Sequence, residues 1–111
     1  MLTAIIILFS LAAIFGLTLL TFVLRGKETP KGIVFLHGPI AATALILLII
    51  YVVNNTVSPV PSMVLFIIAA IGGVILVIRD FTRKSVPKSL AVVHGLIAVT
   101  GLILLIMFVL K

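Results

Sequence analysis

Residues 37–50 read HGPIAATALILLII, and residues 94–107 read HGLIAVTGLILLIM. Each run opens on a histidine and a glycine and continues as nearly unbroken hydrocarbon. Sliding the chain along itself by 57 residues (94 − 37) extends the match without a gap, pairing Leu8 with Leu65, Phe9 with Phe66, Ala12 with Ala69, Ala13 with Ala70 and Gly16 with Gly73. Further on it pairs Pro30 with Pro87, Lys31 with Lys88 and Thr43 with Thr100. Shared leucines are cheap in so apolar a chain; proline, lysine, histidine, glycine and threonine in one register are not. The chain reads as one unit copied once, repeat 1 over 1–57 and repeat 2 over 58–111.

Of the 111 residues, 64% are hydrophobic and 9% charged, and the mean hydropathy is +1.58. That is too little polar surface to enclose a soluble core. Four apolar segments, about residues 2–24, 33–53, 60–78 and 90–110, each approach the roughly 20 residues that cross a hydrocarbon layer of about 30 Å. Backbone groups in lipid must be satisfied within the segment, so the four are expected to be helices. The first lacks a basic leader and a small-residue cleavage pattern and is expected to stay in the mature protein.

Seven of the eight Lys and Arg residues lie in two short connections: Arg25, Lys27 and Lys31 in the first, Arg79, Arg83, Lys84 and Lys88 in the third. The second connection, NNTVSPVPS, has none. The positive-inside bias therefore puts loops 25–32 and 79–89 in the cytoplasm and both termini outside, with a bacterial inner membrane as the expected setting. Cations beside a membrane serve orientation and lipid headgroups, so nucleic acid is not an expected partner. With no cysteine, disulfides and thiol chemistry are excluded.

Each repeat is a two-helix hairpin that returns to its starting side, so the copies share one orientation, related by a pseudo-twofold axis along the membrane normal. Short connections make sequence neighbours antiparallel partners. The expected fold is all-α: a single transmembrane domain, 1–111, forming an up-down-up-down four-helix bundle with helices 2 and 4 on one diagonal. Pro30 and Pro87 fall near helix starts, where a missing N–H costs little. Ala12 to Gly16 and Ala69 to Gly73 are small-xxx-small spacings that favour close helix packing.

His37 and His94 lie six residues past Lys31 and Lys88, roughly 8–10 Å inside their helices at 1.5 Å per residue. Below them the same faces carry Ala41, Ala44 and Leu48, or Ala98, Gly101 and Leu105. With neighbouring helices about 10 Å apart, the diagonal is about 14 Å, too long for the imidazoles to touch and wide enough to hold something between them. Two histidines bonding a central haem iron span a similar distance, and facing helices are a recurring way to build such a site. The macrocycle edges would point at helices 1 and 3, where Gly16, Gly72 and Gly73 remove bulk. Its propionates would meet Arg25, Lys31, Arg79 or Lys88.

In His37, His94 and the small residues around them, the arrangement resembles the bis-histidine b-type cytochromes of membranes. That resemblance implies haem b as cofactor, His37 and His94 as axial ligands of the iron, single-electron transfer as the function, and quinone or a larger membrane complex as partner. Two alternatives stay open. One is a cofactor-free accessory or scaffold protein docking other membrane helices, in which each histidine simply bonds a backbone carbonyl. The other is a proton or ion pathway, since intramembrane ionisable groups are costly enough to suggest function.

Thr3, Ser10 and Thr21 share one line of helix 1. They would suit the outward face of a homodimer; the commoner role of such residues is to bond their own helix's carbonyls. Glu28 and Asp80 are the only acids and sit in or beside the basic loops, where exposed ion pairing is ordinary. Without a carboxylate pair, a nucleophile motif or a phosphate-binding loop, the chain is not expected to be an enzyme.

Overall fold

The computed structural model describes residues 1–82 and 84–111. Arg83, one of the basic residues of the third connection, lies outside them. Four helices follow in order: α1 (Leu2–Leu24), α2 (Lys31–Asn54), α3 (Val60–Phe81) and α4 (Lys88–Leu110). All four are long and apolar enough to cross a membrane, and the chain is an integral membrane protein. The bundle is 43 Å long and 22 by 19 Å across.

Helices α2, α3 and α4 run past the apolar segments at their polar ends. Lys31 and Lys88 are first helical residues, and Arg79, Asp80 and Phe81 extend α3. Hydropathy stops at a charge; backbone hydrogen bonding does not. Pro30 and Pro87 are N-caps in extended conformation (φ −69° and −64°), so their missing N–H groups fall outside the helical ladder. Arg79 in the last turn of α3 sits at the negative end of the helix dipole. At the end of α1, Gly26 adopts φ 67°, its N–H bonds the carbonyl of Val23 and that of Lys27 bonds Phe22. This is the paired 5→2 and 6→1 closure that favours glycine.

Each helix packs on two others: α1 on α2 and α4, and α3 on α4 and α2. The diagonals are thus α1/α3 and α2/α4, as up-down-up-down connectivity requires. The α2–α3 seam is the loosest of the four.

Burial follows the internal repeat. Ile5 and Ser62, Phe9 and Phe66, Ala12 and Ala69, Ala44 and Gly101, and Leu48 and Leu105 are buried pairs 57 positions apart. Among the described residues Pro59 and Ala91 are buried without a buried mate; Leu2 and Val34 in their places are half-buried. Ile5, Phe9, Ala44, Leu48, Phe66 and Leu105 form one cluster toward the end that carries the termini. Outward positions are apolar too: Ile7, Ile46, Ile71 and Ile103 are all more than half exposed, which suits contact with lipid tails.

Leu105 is fully buried and Ile103 is 52% exposed on the same helix. Leu105→Ala should cost about 2–4 kcal/mol through the cavity it leaves, and Ile103→Ala within about 0.5 kcal/mol. Unfolding in mixed micelles of increasing SDS content measures both; equal losses would show that the bundle is not packed about Leu105.

Candidate functional site

The two histidines point into the bundle. His37 Nδ1 lies 2.8 Å from the carbonyl oxygen of Ala12, and His94 Nδ1 lies 2.7 Å from that of Ala69, each bond spanning 25 residues of its own hairpin. A carbonyl only accepts, so the proton is on Nδ1, and in the neutral imidazole Nε2 keeps its lone pair. Neither Nε2 bonds any described residue, and among the described residues no buried polar side-chain atom lacks a partner. Both Nε2 atoms are therefore accessible, and both rings line the two central cavities.

Local sequence explains why these carbonyls are reachable. A helical carbonyl points toward the residue four places on, whose side chain leans back over it. Four residues after Ala12 and Ala69 stand Gly16 and Gly73, so each carbonyl is uncovered. The rings fill the space: a Cβ at Gly16 would lie 2.9 Å from His37 Cε1, and one at Gly73 would lie 3.1 Å from His94 Cε1. Gly72 has only a looser contact, 3.7 Å to His94 Nδ1. The small-xxx-small spacings thus receive the imidazoles. Beyond the rings they seat, Gly16 and Gly73 also line the adjoining cavities.

The ring centroids are 6.3 Å apart across the α2/α4 diagonal, with planes at 86°. No hydrogen bond joins them. On the other diagonal Phe9 and Phe66 stack at 3.7 Å and 4°, one turn before Ala12 and Ala69 and so on the side of the termini. The aromatic pair forms a floor beneath the histidine pair. A cavity of about 360 Å³ runs from the imidazoles to the basic end beside the α1/α4 seam. A second, of about 260 Å³, lies by the α2/α3 seam above the phenylalanine floor. Their walls correspond under the repeat: Ala13, Gly16, Leu17 and Leu20 in the first match Ala70, Gly73, Val74 and Val77 in the second.

Ala98 lines both cavities and Ala41 the smaller one. Ala44 and Gly101 lie deeper. Ala44 is in the core cluster with Leu48, and Gly101 makes room for Phe66, whose ring would be 3.3 Å from a Cβ there. Among the basic residues, Arg25 and Lys88 are exposed, and Arg79 Nε donates to the carbonyl of Ser85 at 2.9 Å. Lys31 Nζ donates to Asp80 Oδ2 at 2.9 Å and to Thr29 Oγ1 at 2.9 Å, above the ring of Phe81. None of the four lines either of these two cavities; Thr29 and Asp80 line the larger one at its basic end.

Four participants carried no chemical signal in the sequence. The carbonyls of Ala12 and Ala69 belong to the backbone, and Phe9 and Phe66 look like any core aromatics. Their only trace was that all four fall in the register of the repeat. On α1, Thr18 and Thr21 bond carbonyls of their own helix. No protein-family model, curated protein or solved structure matches the chain.

Because each imidazole is seated on one glycine, the seats can be spoiled separately. Gly16→Ala should push His37 off the Ala12 carbonyl and leave His94 unchanged; Gly73→Ala should do the reverse. Each should cost about 1–2 kcal/mol for the orphaned group. Imidazole nitrogen NMR reads both Nδ1–H signals. Two unaltered signals in either variant would refute the seating.

Proposed function

We propose that this chain is a small b-type cytochrome, in which His37 and His94 are the two axial ligands of one haem iron and the protein passes single electrons within the membrane. The observation that carries this reading is the separation of the rings. With metal–nitrogen bonds of about 2 Å, each imidazole centre lies a little over 3 Å from the metal, so two rings on opposite faces sit just over 6 Å apart. The observed separation is 6.3 Å.

The donor chemistry agrees. A ligating histidine usually donates its other N–H to a carbonyl or carboxylate, which fixes the tautomer and strengthens the ligand. Both histidines do so, leaving Nε2 for the metal. Apolar cavities of about 360 and 260 Å³ flank the pair, in the size range of cofactor pockets. Ala41 and Ala98 keep their walls thin. Lys31, bonded to the Thr29 and Asp80 that line the larger cavity, is the proposed cation for a propionate, with Arg25, Arg79 and Lys88 at the same end. Haem supplies the one-electron chemistry when bound; the chain's residues hold it, exclude water from it and orient it. Quinone or a larger membrane complex is the proposed electron partner.

A cofactor-free accessory protein is the second reading, favoured by the Nδ1 bonds themselves, since each clamps the two helices of a hairpin. A continuous proton or ion path would have to pass the Phe9–Phe66 stack. We place the termini outside and the basic loops in the cytoplasm, in a bacterial inner membrane, because the cations cluster at one end.

Protein purified from haem-replete cells should show reduced α and Soret bands at one haem per chain, and His37→Ala or His94→Ala should abolish them. A colourless, folded protein would sink the cytochrome reading and leave the accessory one. For orientation, the native chain has no cysteine, so single-cysteine variants report cleanly. Thr56→Cys should react with an impermeant maleimide in intact cells and Lys27→Cys only after lysis; the opposite pattern would invert the topology.

A further inference from the structure

The molecule is strongly charged at one end. Connections 25–32 and 79–89 hold seven cations against Glu28 and Asp80, a net +5 of the chain's +6, and Lys111 is the one remaining cationic side chain. The duplication keeps part of this pattern: Lys27 and Lys84 are 57 positions apart, each two residues past the C-cap of its hairpin's first helix, Arg25 or Thr82. They therefore stand beyond the helix ends, related by the pseudo-twofold axis. Arg25, Lys27, Lys84 and Lys88 are exposed, and none is paired with an acid among the described residues, where the one ion pair is Lys31 with Asp80.

The histidines are close to this face. Each is six residues from the first residue of its helix, about 9 Å along the axis, and the larger cavity continues from the rings to the same end. In the other direction the axis is filled by the Phe9–Phe66 stack and the core cluster.

We propose that the basic end of the bundle is a docking face for an acidic, soluble one-electron carrier, which reduces the site between the histidines from the water beside the membrane. This rests on the cytochrome reading and adds an electron source to it. One electron leaves the carrier's iron–sulfur centre and takes the haem from ferric to ferrous; no bond forms or breaks. The end of the bundle measures 22 by 19 Å, so a docked carrier covers about 400 Å² a side, at the small end of protein contacts where weak electron-transfer encounters fall. Contacts of that size depend on charge for their speed, since complementary fields raise the rate of encounter more than the strength of the complex. At 10 mM salt the screening length is about 30 Å, longer than the face is wide, and the cations act together; at 1 M it is about 3 Å. Acidic lipid headgroups surround a bundle at its rim, whereas Lys27 and Lys84 belong to connections past the helix ends, which favours a partner arriving from water.

The test is anaerobic stopped-flow reduction of the ferric full chain by reduced plant-type ferredoxin, in nanodiscs of neutral phosphatidylcholine that leave both faces accessible. Such a carrier is acidic and, at about −400 mV, strongly reducing. The second-order rate should fall at least about tenfold between about 10 mM and about 0.5 M salt. Lys27→Gln combined with Lys84→Gln should lower the low-salt rate about three- to tenfold and weaken its salt dependence. In the same variant the haem bands should be unchanged, and the rate with reduced methyl viologen, a small cation, should not fall. A haem-loaded wild type whose ferredoxin rate ignores salt, or a variant that matches the wild type, would overturn the docking face and leave the cytochrome reading standing. So would a variant that loses only co-purified acidic lipid, which would assign the lysines to the membrane. A chain without haem bands would overturn the cytochrome reading first and the docking face with it.

Discussion

An imidazole inside an apolar bundle has one N–H that must find an acceptor, and in this chain the acceptor is the backbone of the neighbouring helix. Helical carbonyls are already engaged and mostly covered, so the bond forms only where a glycine one turn on uncovers the oxygen. That requirement couples three positions in each hairpin: an alanine carbonyl, the glycine four residues later and a histidine 25 residues after the alanine. It fixes the register of α2 against α1 and of α4 against α3. It also sets the tautomer, and with it which nitrogen is presented to the interior.

Packing and chemistry then divide the bundle lengthwise. Toward the termini, Ile5, Phe9, Leu48, Phe66 and Leu105 fill the axis. Toward the basic loops the axis is left open, because residues that would fill it are Ala13, Ala41, Ala98 and the two glycines. Small residues do two jobs at different depths. Gly101 admits Phe66 into the floor, while Gly16 and Gly73 admit the histidines above it. Lipid-facing isoleucines contribute little to this order, since hydrocarbon outside the bundle solvates them as well as hydrocarbon inside.

Most of the architecture was legible in the chain because the duplication turns a weak pattern into a paired one. Helix number, hairpin unit and diagonal placement of His37 and His94 all follow from that register together with short connections. Hydropathy does not mark the helix ends, since Lys31, Arg79 and Lys88 continue the backbone ladder beyond the apolar core. The histidines were visible; their acceptors were not, since Ala12 and Ala69 offer only main-chain oxygen. Gly16 and Gly73 stand out in the chain as small residues, but only three-dimensional proximity shows that each seats the imidazole of its own hairpin. Asp80 looked like a surface acid, because nothing in its neighbours along the chain says that Thr29 and Lys31 fold back to meet it.

Joining the two hairpins in one polypeptide has a consequence for how the molecule can vary. In an assembly of two separate identical chains, every substitution is installed twice and the axis stays exact. Here Pro39 is exposed in one half where Leu96 stands in the other, and Asp80 in one half takes the place that Val23 has in the other. Covalent linkage lets one half specialise as an entrance while the other stays hydrocarbon, giving a symmetric frame a front and a back.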